Sequence, residues 1–243
     1  MILNKKHIVI TGGTSGIGYE LVKQLHSDNH VIVIARDQKK LDDISQQFEG
    51  ITIYNADLSL MADVKWVAAH IIDCFSSVDV LINNSAVQYT PKLTDADFLC
   101  ENIYREIAIN FSAVCALTHQ LLPTLLHDRD AVIVNINSGL ALAPKTTSAI
   151  YSATKGALNN FSTALRYQLE ATNICVQQTF LPMVNTPMTK DRGINKISAQ
   201  SAASEIIRGI ENNIEEHDIG KVKLLRILLR LSPSIAHRIM KKY

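Results

Sequence analysis

The chain of 243 residues has no apolar run of about 18 residues, the length a membrane-crossing helix needs. It has little imbalance of charge. Its 24 Lys and Arg against 23 Asp and Glu leave a net of +1, which excludes the broad basic excess of a nucleic-acid binder and the high net charge of a disordered chain. No CxxC pair is present, and the four cysteines (Cys74, Cys100, Cys115, Cys175) are scattered. A zinc ribbon and a disulfide framework are therefore not expected, and reduced thiols in the cytoplasm are. There is no HExxH among the eight histidines and no close His/Cys cluster, so no catalytic metal is expected. Nor is there a GxSxG, which argues against a nucleophile-elbow hydrolase. The start, Met1 to His7, lacks the apolar core and cleavage site of a signal peptide.

What is present alternates. Short β-branched runs at His7–Thr11, Val31–Ala35, Ile51–Tyr54, Val78–Ile82, Ala131–Ile136 and Ile174–Phe180 read as strands. Helical stretches lie between them, near Gly16–Ser27, Gln38–Phe48, Leu60–Ser76, Glu101–His127 and Tyr151–Ala171. The strands are continuously apolar, as expected of strands buried on both faces. Strand–helix alternation predicts βαβ units, hence a doubly wound parallel α/β sheet with helices on both faces. No repeat or long linker divides the chain, so 1–243 reads as one domain. Leu181–Gln200, with two prolines, a glycine and polar residues, reads as a substrate loop after a strand end. The stretch 221–243 holds seven Lys or Arg and no acid. Val222, Leu224, Leu225, Leu228 and Leu231 make a stripe at helical spacing, and Ser232-Pro233 divides it from a second helix. It reads either as helices packed over the cleft or against another subunit, or as a basic amphipathic element for peripheral contact with an anionic membrane or an acidic acyl carrier.

Between the first strand and first helix stands Thr11-Gly12-Gly13-Thr14-Ser15-Gly16-Ile17-Gly18, a TGxxxGxG. Gly12 permits a sharp turn, Gly16 lets a pyrophosphate approach the backbone, and Gly18 lets the helix pack closely on the sheet. The helix N-terminus then offers N–H donors and a positive dipole to phosphate. At the end of the second strand stands Ala35-Arg36-Asp37. Arg36 there favours the 2′-phosphate of NADP(H), while Asp37 as a ribose ligand would select NAD(H). Tyr151-Ser152-Ala153-Thr154-Lys155 is a YxxxK, which places both side chains on one helical face. An ammonium near a phenol lowers its pKa toward the working range of a general acid or base. Ser138, thirteen residues upstream in Asn135-Ile136-Asn137-Ser138-Gly139, carries a hydroxyl that can bond a reacting oxygen.

TGxxxGxG, Asn83-Asn84-Ser85-Ala86, Asn110, Ser138 and YxxxK stand in the order and spacing of the classical short-chain dehydrogenases/reductases, which residues 6 to 190 resemble. The Glu106-Ile-Ala-Ile-Asn110-Phe and Ile-Asn-Ser-Gly-Leu contexts resemble the branch that includes oxidoreductases of teichoic-acid D-alanylation operons. This resemblance implies a Rossmann-like domain and hydride transfer between a nicotinamide cofactor and a carbonyl or alcohol substrate. It implies Tyr151 as general acid/base, with Lys155 binding the nicotinamide ribose and depressing the tyrosine pKa. Ser138 would orient the substrate oxygen, and Asn110 would hold a relay water. Gly12, Thr14, Ser15, Gly16, Ile17 and Gly18 would cradle the dinucleotide, with Asp57 and Leu58 at the adenine and Asn83 an adenine-side structural residue. Val184 and Thr186 would touch the carboxamide. The family's PGxVxT is here Leu181-Pro182-Met183-Val184-Asn185-Thr186, and its NNAG is Asn83-Asn84-Ser85-Ala86, so both motifs are altered. A homodimer or homotetramer built on the Glu101–His127 and Tyr151–Ala171 helices is also implied. Other readings are a non-catalytic dinucleotide sensor and an interaction protein acting through its basic tail. Lys190, Arg192 and Lys196 are candidates for binding an acidic substrate group, or are solvated loop residues.

Overall fold

The apolar runs become strands in the computed structural model, which describes residues 1–242. In chain order they are β1 (His7–Thr11), β2 (His30–Ala35), β3 (Ile51–Asn55), β4 (Val80–Asn83), β5 (Ala131–Ser138), β6 (Ile174–Leu181), β7 (Val184–Asn185), β8 (Ile197–Ser198) and β9 (Glu216–Asp218). The helices are α1 (Gly16–Leu25), α2 (Gln38–Gln47), α3 (Met61–Cys74), α4 (Cys100–Ile107), α5 (Ala113–Leu125), α6 (Ala149–Gln168), α7 (Ala199–Glu211), α8 (Lys221–Leu231) and α9 (Pro233–Lys241). Seven strands form one parallel sheet in the order β3-β2-β1-β4-β5-β6-β9. The Rossmann-like α/β architecture expected from the sequence is therefore present.

Each strand feeds two cores because successive side chains face opposite sides. Ile8 and Ile10 join Leu21 and Val22 of α1 and Ala202 and Ile206 of α7. Val9 faces the other way, toward Val67 and Ile71 of α3 and Leu117 and Leu121 of α5. The strand order reverses between β1 and β4, and their C-terminal ends leave a crevice there.

Four parts of the chain differ from the sequence reading. The segment Glu101–His127 is two helices joined by a π-helical turn, Ala108–Ser112. A π turn inserts an extra residue into the helical ladder, and such turns cluster at functional sites. The stretch read as a loop, Leu181–Gln200, holds β7, a 3₁₀ turn at Pro187–Thr189 and β8. Helix α7 and strand β9 were not expected, although α7 is clearly amphipathic and only β9 carries a faint signal. The buried face of α7 includes the small residues Ala202, Ala203 and Gly209, and β9 reads Glu-His-Asp, with His217 its one buried residue.

Candidate functional site

The crevice is a cleft of about 470 Å³ running from the loops after β2 and β3 to α8 and α9. At its floor the chain leaves β1 through Gly12 at φ +71°, a left-handed conformation that glycine adopts without a steric penalty. Gly18 lies where a Cβ would stand 2.2 Å from the Gly12 carbonyl oxygen, so helix α1 and the turn touch backbone to backbone. The side chain of the α1 N-cap residue Ser15 makes no capping bond. The first-turn N–H groups therefore have no side-chain partner from the cap. The turn is fastened from the side: Asn84 N and Ser85 N each donate to Thr11 Oγ1 at 2.9 Å, and Asn84 Nδ2 donates to the Thr11 carbonyl at 2.9 Å. Neither Thr11 nor Asn84 was singled out as a site residue from sequence. Their signal was their place in the motifs, Thr11 opening TGxxxGxG and Asn84 in Asn83-Asn84-Ser85-Ala86.

Gly12, Thr14, Ser15, Gly16 and Ile17 line the cleft, as do Arg36, Asp57, Leu58, Val184 and Thr186. Gly18 and Asn83 do not. Asn83 is buried behind the strand ends, where its amide donates to Asn135 Oδ1 at 2.9 Å and to Thr118 Oγ1 at 3.4 Å. Its place is structural, facing α5 rather than the cleft. Arg36 is exposed at the mouth beside Lys40. Asp37 caps α2: Lys40 N donates to its Oδ1 at 3.2 Å, and the Lys40 ammonium stands 3.6 Å from its Oδ2. Asp57 accepts from Ser59 N and Ser59 Oγ and pairs with Arg105 at 3.3 Å. Burial pushes its carboxyl up, but the Ser59 bonds and Arg105 outweigh that and hold it below its ordinary value.

At the other end, Ser138 ends β5 while Tyr151 and Lys155 project from one face of α6. The electrostatics depart from expectation. Burial pushes the Tyr151 phenol up to about 12. The adjacent Ser138 hydroxyl and Arg192 pull it down, and Glu106 raises it further. The Lys155 ammonium lies 5.8 Å from the phenol ring centroid and donates to the Ile136 carbonyl at 2.7 Å. Burial lowers its own pKa to about 8. Desolvation thus acts on both groups, and the lysine is not among the groups that move the phenol, so the expected depression of the tyrosine by the lysine does not appear.

Asn110 is fully buried within the π turn. Val87 N donates to its Oδ1 at 2.9 Å, while its Nδ2 donates to the Val87 carbonyl at 2.9 Å and to Thr154 Oγ1 at 3.2 Å. Both amide donors are engaged by protein, so the side chain clamps the cleft-lining Val87 to α6. Among the three loop cations, only Arg192 lines the cleft. The Lys196 ammonium donates to the Thr189 and Lys190 carbonyls, and Lys190 is exposed. Lys145, which sequence reasoning passed over, lines the same end.

Helices α8 and α9 roof this end through Val222, Leu225 and Met240, and Thr146 Oγ1 donates to the Lys241 carbonyl at 2.6 Å. The apolar stripe read from sequence is split, since Val222 is buried but Leu224 and Leu231 are exposed. Arg226 is half-buried: it packs 4.7 Å from the Phe180 ring centroid and pairs with Asp218 and Glu216. No described helix is long and apolar enough to cross a membrane.

The family described as short chain dehydrogenase matches residues 6–196. The chain belongs to that family. Among curated relatives, "Uncharacterized oxidoreductase DltE" of Bacillus subtilis (strain 168) is 32% identical over 210 residues, covering 84% of this chain and 82% of the relative. That similarity bears out the branch read from the sequence. Among solved structures, a short chain dehydrogenase from Burkholderia cenocepacia J2315 in complex with NADP superposes with a TM-score of 0.89 at 20% identity, covering 99% of both chains. A short chain dehydrogenase/reductase from Burkholderia phymatum in complex with NAD gives 0.83 at 19% identity, covering 95% of this chain and 96% of that one. Those two likenesses concern the fold of this short-chain dehydrogenase.

Proposed function

We propose that the protein is an NADP(H)-dependent oxidoreductase that interconverts a carbonyl compound and its alcohol. The observation that carries this reading is the grouping of Ser138, Tyr151 and Lys155 at one end of a cleft whose floor is the Gly12–Gly18 turn. That turn fits a dinucleotide. It lines the cleft at the N-terminus of α1, whose first-turn N–H groups take no bond from the Ser15 side chain. Thr14, Ser15, Gly16 and Ile17 would hold the pyrophosphate, Asp57 and Leu58 the adenine, and Val184 and Thr186 the carboxamide. Solved relatives bound to NADP and to NAD support a nicotinamide dinucleotide as the ligand class. NADP(H) is favoured because the Asp37 carboxylate caps α2 and pairs with the Lys40 ammonium, which leaves the exposed Arg36, in no salt bridge among the described residues, to meet a 2′-phosphate.

When bound, the cofactor supplies or accepts the hydride. The chain's own residues manage the oxygen. In reduction, Tyr151, held protonated by its raised pKa, donates its proton to the substrate oxygen, and Ser138 hydrogen-bonds that oxygen as charge builds on it. In oxidation, the phenol must first lose its proton, and the Lys155 ammonium on the same helical face is the charge that favours this. Asn110 keeps Val87, and with it the cleft wall, in place against α6. The exposed Tyr104 and Ile107 of α4 and Tyr167 of α6 are the apolar surface that a homo-oligomer would cover.

The test is Tyr151→Phe. Proton-transfer groups contribute about 10²- to 10⁴-fold. The variant should lose at least that much kcat toward a carbonyl substrate found by screening, with NADPH affinity retained. Full turnover in the variant contradicts the assignment.

A further inference from the structure

The substrate end of the cleft carries two cations that the proton relay does not use. Lys145 lies in the segment between Ser138 and Tyr151, Arg192 lies after the 3₁₀ turn, and both line the cleft. Neither forms a salt bridge among the described residues. Arg192 is held in place by neutral partners: its guanidinium donates to Gln88 Oε1 at 2.9 Å and to the Met188 carbonyl. The backbone that presents it is tightly constrained. Gly193 has φ +64°, and a Cβ there would stand 2.1 Å from the Met183 sulfur. Among the described residues, the only carboxylates lining the cleft are Asp37 and Asp57, at its far end. Glu106, whose field reaches Tyr151, is buried behind the wall with Tyr89 N donating to it at 2.8 Å, and it does not line the cleft.

The two cations feel each other's charge. Burial lowers the pKa of the Lys145 ammonium, and the charge of Arg192 lowers it further. Burial likewise lowers that of Arg192, which the Tyr151 phenol partly offsets. Half-buried like charges facing one space without a counter-charge are unfavourable until an anion enters between them. Around them the walls are apolar: Leu140, Met183 and Leu225 line the same space, with Met188 and Met240. Methionine side chains adapt to irregular flexible chains.

We propose that Lys145 and Arg192 form an anion subsite beside Tyr151, and that the substrate is an amphiphile: a carbonyl or alcohol compound bearing a carboxylate or phosphate and an apolar chain. This rests on the cleft being the active site proposed above, and it adds the substrate class. The anion binds the two cations, the apolar chain lies along the methionine-lined wall under α8 and α9, and the reacting oxygen meets Tyr151 and Ser138.

The test is binding of three matched probes, octanoate, octyl phosphate and octan-1-ol, to the full chain saturated with NADP⁺, by ligand-observed NMR titration. At least one anion should bind tenfold or more tighter than octan-1-ol, and the better of the two identifies carboxylate or phosphate. Lys145→Gln and Arg192→Gln should each reduce that preference at least threefold, and the double variant should abolish it while octan-1-ol binding holds. Equal binding of all three probes overturns the proposal, as does an anion preference that survives the double variant. Repeating the titrations without dinucleotide separates the two readings. If NADP⁺ does not bind, the oxidoreductase reading fails, while the anion preference and its loss in the variants still decide the subsite.

Discussion

Replacing Lys155 with methionine should stabilise the protein at neutral pH relative to alkaline pH while removing its activity. Lys155 is 3% exposed, and burial lowers its pKa from 10.5 to about 8. Below about pH 8 the folded protein carries a desolvated ammonium, which disfavours folding. Between about pH 8 and 10.5 the folded chain has released that proton and the unfolded chain still holds it. The unfolded state therefore binds more protons there, and stability from this group rises with pH. At about 1.4 kcal/mol per pKa unit, the burden is roughly 3 kcal/mol at pH 7, and about 2 kcal/mol of it is relieved by pH 9.5. Methionine keeps much of the volume and carries no charge, but it leaves the Ile136 carbonyl without its partner, at about 1–3 kcal/mol. Those terms nearly cancel at pH 7. At pH 9.5 the partner lost by Ile136 weighs more, so the variant should be the less stable protein. The assay is thermal or urea unfolding of both proteins from pH 7 to 9.5. The wild type should gain about 2 kcal/mol on Lys155→Met across that range, or about 4–8 °C in melting temperature for a chain of this size. A constant difference between the two proteins at all pH values refutes the reasoning, since it means that Lys155 is no harder to protonate in the folded state than in the unfolded one.

Other substitutions separate structural from chemical roles. Gly18→Ala drives a methyl to 2.2 Å from the Gly12 carbonyl, so α1 must shift. It should cost about 1–3 kcal/mol in urea unfolding and weaken NADPH binding in calorimetry at least tenfold. Asn110→Ala removes the three bonds to Val87 and Thr154. It should lower stability by about 1–3 kcal/mol, because the Val87 N–H and carbonyl are left unpaired, and it should reduce kcat more than NADPH affinity. Arg36→Gln should weaken NADPH about tenfold and leave NADH within twofold in parallel titrations, since only the former carries the 2′-phosphate.

Much of this was legible in the residues, for physical reasons. The central strands are buried on both faces, so their apolar runs mark them without help from context. The Gly12–Gly18 turn and the Tyr151–Lys155 pair are local, with their spacing set by one turn and one helix. What depended on packing was harder to read. Helix α7 is an exception, since Ala202, Ala203, Ile206, Gly209 and Ile210 stand at helical spacing on its buried face and could have been read from the residues. Strand β9 has one buried residue, His217, and owes its place to pairing with β6. Lys145 gains its setting from Arg192, 47 positions away in the sequence, and no window along the chain contains both. The raised pKa of Tyr151 was also hidden, because proximity to Lys155 can be read from spacing whereas desolvation depends on the completed cleft.

The central claim is that the cleft takes NADP(H). Titration of the purified protein with NADPH and NADH in parallel, followed by calorimetry, tests it most directly. The account predicts one site per chain with NADPH binding about tenfold or more tighter than NADH. Tighter binding of NADH would contradict the role given to Arg36 and return Asp37 to the ribose. Binding of neither would contradict the dinucleotide reading of the cleft itself.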